Sequence, residues 1–537
     1  MTAGRLAAAA LIGAAAALAA VGPSVAEIEA RFAELVDLKD QIDVAHARGL
    51  AMPPVGERYA RARAALAAQL AASPPPADPD HVLDAIKGRL EEELPPEPTP
   101  PGEKNEAGEC HYDAAALAKG PQGLEALTTR MYECFGAASR ALPFGAEALD
   151  RLTIFERLGS TGDPAARKRL FLAWQPLWRS VNGDGGPGSP FRVRLRLAAE
   201  RREGESYAER NAAALGVDPA LVEGWLVSAL ERWREALPAA PIEPWDYWYA
   251  AGAAERALGP KLPLDRLGEL NGAFYRALGA DPERLRIHFD LAPREGKTPV
   301  AFTTFGRRPS LAASAAPGEA WVFATYRSGG LGNLVELLHE TGHGIHIMAI
   351  RTRPAFASWP DSDTFTESLG DLLALEAYEP EWQRRWLGAA AGVSESMRAK
   401  YASVVLDMAW TLFELRLARN PAADPNQVWT QLTRDYLRVA PHPEWSWWAI
   451  RGQLVDAPGY MMNYGLGAIL VADLRARARE LKGTFANPDP TWYPWLSQRL
   501  YRFGLERSSR DVIAGYLERP PRPDALLADM ARGARRP

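Results

Sequence analysis

Cysteine and histidine are scarce in this chain of 537 residues, which contains only two cysteines and eight histidines. The two thiols, Cys110 and Cys134, have a single imidazole nearby and are too few for a structural zinc site. An oxidising compartment would favour a disulfide between them, and closing a loop of that length would stabilise the fold by about 3.5 kcal/mol. Two buried free thiols are the alternative.

The sequence also lacks long runs of lysine and arginine, and its net charge is -5 with a pI near 6.0. The chain thus lacks the concentration of positive charge that is typical of nucleic-acid-binding proteins, and nucleic acid is not an expected partner. After residue 21 there is no apolar stretch long enough to cross a bilayer. The composition, 47% hydrophobic and 24% charged, is typical of a globular protein with a large core and two or more lobes. We expect a monomer.

Residues 1–26 are predicted to be a cleaved signal peptide. Arg5 precedes an uninterrupted run of small apolar residues from Leu6 to Val21, and Ser24-Val-Ala26 offers the small residues that signal peptidase reads. A membrane anchor is the alternative, but the run is shorter than the roughly 20 residues that a span requires. The mature protein is therefore expected to be periplasmic or secreted and not membrane-spanning.

Residues 27–106 are predicted to form a helical N-terminal segment that ends in a proline-rich linker, Glu93–Gly102. This segment is either a separate module or a lid. Residues 107–537 carry mostly helical patterns and are predicted to form the main domain, so the fold class is mainly α.

Two short runs of β-branched and aromatic residues, Thr298–Phe305 and Trp321–Tyr326, break the helical pattern and are predicted to be a pair of strands. A helix is predicted directly after them, with Asn333 as its N-cap and Pro354 at its end. A second helix is predicted from Asp363 to Pro380.

The first of these helices contains the pattern His339-Glu-Thr-Gly-His343. Residues four apart on a helix lie about 6 Å apart along the axis and nearly on one face, so both imidazoles can bind one ion. A catalytic zinc site uses three protein ligands and keeps one position open for water. His339 and His343 are therefore predicted to bind one Zn²⁺ per chain, although cobalt or manganese would fit the same ligands.

The second helix offers the third ligand. Glu367 and Asp371 are four residues apart and share a face that lies away from the leucine stripe of this helix. Glu367 is predicted to bind the metal, and Asp371 to accept a hydrogen bond from the far nitrogen of a ligating histidine.

Glu340 lies next to His339 and is predicted to be the general base. A bound zinc ion lowers the pKa of its water to about 7, so a nearby carboxylate can take the proton and later pass it to the leaving amine. Two alternatives stay open: a helix whose histidines are satisfied by hydrogen bonds without a metal, and a non-catalytic zinc site.

These motifs resemble those of known zinc peptidases. His339-Glu-Thr-Gly-His-Gly-Ile-His346 resembles the signature of the thimet oligopeptidase family, and Glu367-Ser-Leu-Gly-Asp-Leu-Leu-Ala-Leu375 is similar to the third-ligand helix of the angiotensin-converting-enzyme family. The resemblance is strong over about 297–380 and highly specific over 339–371, and it extends more faintly over most of 107–537. It implies a two-lobed helical gluzincin peptidase that takes short peptides into a deep cleft, with a small antiparallel β-sheet beside the zinc helix.

The resemblance also implies roles for residues outside the motifs. Tyr464, and as second choice Tyr460, would donate a hydrogen bond to the developing oxyanion. His346 matches the thimet signature without being a ligand there, so it is expected to pack or to support the ligands. Trp321–Tyr326 would be the cleft edge that pairs with extended substrate, and an ordinary buried strand is the alternative.

One departure from both families concerns the histidine that they carry shortly before these tyrosines. The corresponding stretch here is Arg451-Gly-Gln453, without a histidine. Gln453 could donate a hydrogen bond to a substrate carbonyl. Arg451 could bind a C-terminal carboxylate, as a lysine does in the converting enzyme, or could be a solvated charge. His442 is a further candidate to replace the missing histidine.

The resulting prediction is zinc-dependent hydrolysis of short peptides, in the manner of a dipeptidyl carboxypeptidase. An oligoendopeptidase of the thimet type is the alternative within the class. A non-catalytic zinc- or peptide-binding protein is the alternative outside it.

Overall fold

The computed structural model describes residues 23–72, 77–92, 94, 110, 112–201, 207–294, 297, 300–309, 311 and 317–534. The fold is mainly α-helical, as the sequence predicted. The α-helices are Val25–Ala47, Pro53–Ala72, Val82–Glu92, Ala114–Leu117, Gly123–Arg140, Arg151–Ser160, Pro164–Leu172, Gln175–Asn182, Pro190–Glu200, Tyr207–Leu215, Pro219–Ala236, Tyr247–Ala251, Ala253–Leu258, Leu264–Ala277, Leu331–Ala349, Asp363–Ala374, Pro380–Leu387, Val393–Arg419, Pro425–Leu437, Gln453–Asp456, Met461–Leu481, Trp492–Leu496, Ser509–Leu517 and Asp524–Ala534.

The described residues also form five short strands: β1 (Leu142–Phe144), β2 (Glu147–Leu149), β3 (Ile287–Asp290), β4 (Phe302–Arg307) and β5 (Glu319–Phe323). β1 and β2 form a hairpin, and the other three form a sheet in the order β3-β5-β4. The predicted pair exists as β4 and β5, which are antiparallel, with residues 298 and 299 of the predicted first strand outside the described residues.

The third strand, β3, was not predicted, and it changes the role of β5. It pairs with β5 in parallel, so the sheet is mixed rather than antiparallel. β5 is therefore the central strand, with both of its backbone edges paired. The prediction that Trp321–Tyr326 forms the cleft edge was wrong for this reason, and β4 is the strand that borders the cavity described below.

The helix Leu331–Ala349, called here the motif helix, begins two residues before the predicted cap. Its N-cap is Gly330, and the carboxylate of Glu255 accepts hydrogen bonds from the amides of Leu331 (2.8 Å) and Gly332 (2.7 Å). The prediction of Asn333 as N-cap was wrong, because its side-chain amide donates to the carbonyls of residues 328 and 329 instead. A distant carboxylate thus satisfies the free amides of this helix start.

The ends of the two predicted helices also differ from expectation. The motif helix ends at Ala349 because Ile350 leaves the helical region, whereas Pro354 begins a 3₁₀ turn. The second helix, Asp363–Ala374, is called here the acidic helix. It begins after Ser362, whose hydroxyl caps it by accepting from the amide of Phe365 (3.3 Å), and it continues as a 3₁₀ turn to Tyr378.

The buried apolar side chains of the described residues form two hydrophobic cores. The larger one joins the helices of the main body around the motif helix, the acidic helix and the helix Met461–Leu481, called here the tyrosine helix. The smaller one lies among the helices Val25–Ala47, Pro53–Ala72 and Val82–Glu92, and Ala355 of the main body inserts into it. These three helices with residue 94 are called here the N-terminal unit.

The predicted signal peptide and linker lie largely outside the described residues. The structure describes neither 1–22 nor 95–109. The first described helix begins at Val25, and Ser24 and Glu27 form a capping box at its start. Cleavage after Ala26 would therefore fall within the first turn of this helix.

Among the described residues, no single helix combines the length and apolar character needed to span a membrane. One pair of helices, Ala208–Leu215 and Pro219–Ala236, meets that criterion together, with a bend of 93° between them.

Candidate active site

The structure brings His339, His343 and Glu367 together, as the sequence predicted. One donor atom from each lies within 4.8 Å of the other two. The Nε2 atoms of the two histidines are 3.0 Å apart, and Nε2 of His339 is 3.4 Å from Oε2 of Glu367. Two imidazoles and a carboxylate are the donor set that a catalytic zinc ion takes, with a fourth position left for water. These residues therefore fit a zinc ion.

Two glycines allow the helices that carry these ligands to cross closely. A Cβ atom on Gly342 would lie 2.5 Å from the carbonyl oxygen of Gly370. A Cβ atom on Gly370 would lie 2.8 Å from Cε1 and Nε2 of His343 and 2.9 Å from Cε1 of His339. The acidic helix thus supplies Glu367 on one turn and, at Gly370, the bare backbone against which both imidazole rings pack.

Asp371 takes the supporting position predicted for it. Its Oδ1 lies 2.7 Å from Nδ1 of His339, which leaves Nε2 of that ring for a metal. Burial opposes protonation of His339, but the carboxylates of Asp371 and Glu367 outweigh it and raise the pKa of His339 above its usual value. Burial, and then the charge on His339, lower the pKa of His343 to about 3.

Glu340 is buried beside the ligands, and Thr303 of β4 holds it in place. The hydroxyl of Thr303 lies 2.7 Å from Oε2 of Glu340 and 2.8 Å from its backbone oxygen. Burial raises the pKa of Glu340 to about 7, although the charge on His339 and the Thr303 hydrogen bond oppose the rise. A carboxyl group with a pKa near neutrality exchanges protons readily at neutral pH.

The ligands face a cavity of about 560 Å³ whose lining comes from several distant segments. The following residues line it: Ala301, Phe302, Thr303, Glu336, His339, Glu340, His343, Trp359, Asp363, Thr366, Glu367, Ser368, Asp371, Ser403, Val404, Asp407, Arg451, Asn463, Tyr464, Gly467 and Ala468. Carboxylates outnumber the single guanidinium in this lining. A divalent cation would offset part of that negative charge.

Of the two predicted tyrosines, the structure places Tyr464 in the lining and Tyr460 outside it. Their rings lie 5.6 Å apart near the start of the tyrosine helix. Burial raises the pKa of Tyr464 to about 12, and a side-chain hydrogen bond with Gln453 partly opposes the rise. Tyr464 is thus a protonated donor at neutral pH. The predicted contact of Gln453 with substrate stays a prediction.

Arg451 lines the cavity but already has a partner. Its Nη2 lies 2.5 Å from Oδ1 of Asp407, and its guanidinium stacks over the ring of Trp410 with Cζ 4.9 Å from the centroid. The alternative that Arg451 is a solvated charge is wrong, because its ion pair with Asp407 is largely buried. A substrate carboxylate would have to share the guanidinium with Asp407.

His346 and His442 lie outside the cavity lining. His346 is fully buried and packs between Trp359 and Tyr501, with ring centroids 5.5 and 5.4 Å away. This agrees with the packing role expected for it. His442 contacts Glu243 and Glu444 and stacks on a tryptophan, so it does not replace the missing histidine.

Sequence reasoning missed several residues that shape this site: Thr303, Trp359, Gly370 and Asp407. Gly370 stands inside the third-ligand motif, so a glycine in a helix interior was the available signal. Thr303 and Asp407 come from segments far from the two motifs in sequence, and Trp359 comes from the segment between the motif helix and the acidic helix. No local pattern marks them.

Comparisons with known proteins identify the fold but no family. No protein-family profile matches the chain, and no curated protein matches it. A solved structure described only as "CHT" is 14% identical, with a TM-score of 0.53 over 95% of this chain and 99% of that chain. Another, provisionally designated oligoendopeptidase F, is 15% identical, with a TM-score of 0.53 over 95% of each chain. The chain therefore shares the helical fold of these two proteins.

A carboxypeptidase from Deinococcus radiodurans also matches, at 15% identity over 93% of this chain and 96% of that chain. Its TM-score of 0.48 is too low to support an argument.

Proposed function

We propose that this protein is a zinc-dependent peptidase that hydrolyses short peptides. The convergence of His339, His343 and Glu367 within 4.8 Å, with Glu340 beside them in one cavity, carries this proposal. A purely structural zinc site would have no use for a buried carboxylate beside an open position. The designation of a protein with the same fold as an oligoendopeptidase also favours the peptidase class.

His339, His343 and Glu367 would hold one zinc ion per chain, with Asp371 fixing the ring of His339. When bound, the ion supplies Lewis acidity, which acidifies water and polarises the scissile carbonyl. The same ligands accept cobalt or manganese, so the identity of the metal is part of the proposal.

The chain's own residues move the proton and stabilise charge. Glu340, held through Oε2 by Thr303, accepts the proton of the attacking water and passes it to the leaving amine. The neutral hydroxyl of Tyr464 donates to the carbonyl oxygen as that oxygen becomes negative. β4 presents its backbone at the cavity wall beside residues 301–303, where an extended peptide could pair.

Removal of C-terminal dipeptides is the mode that we propose for the enzyme, with Arg451 binding the substrate carboxylate. The contact between Arg451 and Asp407 favours the alternative, an oligoendopeptidase, because the guanidinium is already balanced. Peptides with a free and an amidated C-terminus separate the two modes. Equal cleavage of both would identify the endopeptidase.

Export and a monomeric state are part of the same proposal. A disulfide between Cys110 and Cys134, with a Cα separation of 5.5 Å, supports a location outside the reducing cytoplasm.

The proposal is tested by incubating a mixed pool of short peptides with purified protein and reading the products by mass spectrometry. We expect the wild type to cleave and Glu340→Gln to lose at least about 10²-fold in rate, because the general base is gone. Zinc content should be equal in both proteins, which controls for loss of the metal. Zinc bound at one per chain without any cleavage by the wild type would identify a binding protein instead.

A further inference from the structure

The two ligating histidines are held in different ways. Nδ1 of His339 has the carboxylate of Asp371 at 2.7 Å, but Nδ1 of His343 is buried and has no hydrogen-bond partner among the described residues. On its Nδ1 side, the His343 ring is therefore held by packing. Gly370 and the ring of His339 pack against the His343 ring, and the ring of Trp359 contacts it edge-on, with centroids 5.6 Å apart and planes at 77°.

Trp359 belongs to the segment between the motif helix and the acidic helix, and its position depends on β4. Its ring centroid lies 5.0 Å from that of Phe305, which is buried in β4. Arg308, directly after β4, places its guanidinium 4.1 Å over the Phe305 ring. Nη1 of Arg308 also donates to the carbonyl of Ala357 (2.9 Å) and to the hydroxyl of Ser358 (2.8 Å). Arg308 thus contacts Phe305, which packs against the Trp359 ring, and also the two residues that directly precede Trp359 in the chain.

Arg308 is itself held by the N-terminal unit. Nε donates to Asp40 at 3.2 Å and Nη2 donates to it at 3.3 Å. The side chain of Asp40 is only 2% exposed and that of Arg308 15%, so solvent screens this ion pair weakly. Removing one partner of such a pair leaves an uncompensated buried charge.

A second set of contacts joins the same segment to the N-terminal unit. Glu29 accepts from Arg353 (2.8 Å) and from the amide of Ala355 (3.2 Å), and Arg89 donates to the carbonyl of Ala355 (3.2 Å). All residues that line the cavity lie between 301 and 468, so the N-terminal unit contacts the support of the site rather than the cavity itself.

We propose that Arg308, anchored on Asp40 of the N-terminal unit, is a positioning residue that holds Trp359 against His343 and so fixes the geometry of the metal site. This inference rests on the metal-binding part of the proposed function and not on peptide hydrolysis. It gives the N-terminal unit a role in metal binding.

The chain offers a matched control in the neighbouring ion pair. Nε of Arg307 donates to Asp37 at 3.2 Å, so Arg307 also links the end of β4 to the helix Val25–Ala47. Among the described residues, neither side chain forms a hydrogen bond or an ion pair with the segment that carries Trp359, and both are about one-third exposed. Asp37→Asn therefore removes a link between the same two elements without reaching Trp359.

The test compares Asp40→Asn, Arg308→Lys and Asp37→Asn as full-length proteins. Two properties are measured: Zn²⁺ affinity by chelator competition, and the visible absorption spectrum of the Co²⁺-substituted protein, which reports ligand geometry. We expect Asp40→Asn and Arg308→Lys to weaken Zn²⁺ binding by about tenfold and to change the Co²⁺ spectrum. Asp37→Asn should match the wild type. Equal effects of Asp37→Asn and Asp40→Asn, or no effect of either, would overturn the proposal.

Arg308→Lys keeps a positive charge near Asp40 and so guards against simple unfolding, which circular dichroism monitors. Trp359→Leu completes the test. If Arg308 acts through Trp359, adding Arg308→Lys to Trp359→Leu should cause little additional change in the Zn²⁺ affinity or the Co²⁺ spectrum. Additive effects of the two substitutions would contradict the proposal. Metal binding by a wild type that cleaves no peptide would reject the peptidase proposal while leaving this measurement valid.

Discussion

At the scale of single residues, one donor atom each from His339, His343 and Glu367 lies within 4.8 Å of the other two, and neighbouring side chains hold the groups at the site in place. Asp371 orients His339, and Thr303 holds Glu340. The proposed general base and one proposed metal ligand are therefore each held by a neighbour, which is the arrangement that reduces reorganisation during reaction.

Tyr464→Phe removes the hydroxyl proposed to stabilise the oxyanion. We expect kcat to fall about 10²-fold with a small change in KM, because the hydrogen bond strengthens only as charge develops. Steady-state kinetics on a peptide that the wild type cleaves provide the measurement. Tyr460→Phe is the control, since Tyr460 lies outside the cavity lining, and a larger effect of Tyr460→Phe would reverse the assignment.

Glu414→Gln should remove a pH dependence of stability. Burial raises the pKa of Glu414 to about 8, although the amide of Gly459 donates to its Oε1 at 2.8 Å. Between the unfolded pKa near 4.5 and 8 the folded state binds more protons, so wild-type stability falls as pH rises through this window.

The glutamine variant carries no such proton. We therefore expect the free energy of unfolding of Glu414→Gln, relative to that of the wild type, to increase with pH by at most about 1.4 kcal/mol per pH unit. This difference should level off above pH 8. Urea unfolding of both proteins across this range gives the comparison. Parallel stability curves would show that Glu414 titrates normally.

At the scale of secondary-structure elements, the site depends on how closely two helices cross. Gly342 of the motif helix and Gly370 of the acidic helix remove the side chains that would separate them. The carboxylate of Glu255, from a distant helix, caps the start of the motif helix. The orientation of the ligands is thus fixed at both the start and the crossing point of this helix.

Gly370→Ala should abolish tight metal binding while the protein stays folded. Its Cβ would lie 2.8 Å from the His343 ring, closer than real contacts allow, so the imidazoles must rotate or the helices separate. Zinc content after dialysis, together with circular dichroism, measures both effects. Gly467→Ala is a suitable control because its Cβ would meet nothing nearer than 3.7 Å. Full zinc occupancy in Gly370→Ala would contradict the packing argument.

At the scale of the whole molecule, two cores meet at the segment between the motif helix and the acidic helix. Ala355 inserts into the core of the N-terminal unit, while Trp359, four residues later, contacts the ring of His343 at the metal site. Damage to the N-terminal unit is therefore expected to reach the site through this short segment. A disulfide adds a separate constraint, between Cys110 and the helix Gly123–Arg140.

Removal of this disulfide by Cys134→Ser should lower the free energy of unfolding by about 3.5 kcal/mol, because the unfolded chain gains the freedom of the opened loop. Urea unfolding with and without a reductant makes the measurement. Reductant should destabilise the wild type by a similar amount and leave Cys134→Ser unchanged. A wild type insensitive to reductant under unfolding conditions would contradict the pairing.

The sequence by itself determined the helical fold class and the relative placement of His339, Glu340 and His343. Residues four apart in a helix share a face whatever surrounds them, so the motif defined its own geometry. The same periodicity placed Glu367 and Asp371 on one face of the next helix. The strands at residues 302–307 and 319–323 were also predictable, since their local composition favours extended backbone.

Only the tertiary structure decided what surrounds that motif. β5 proved to be a central strand because β3, whose short run carries no strong local signal, pairs with its second edge. Glu255, Thr303 and Asp407 reach the motif helix or the cavity from segments far away in sequence, and Trp359 reaches His343 from the segment between the two helices. Their contacts follow from packing across the core, and packing depends on the whole chain rather than on local sequence.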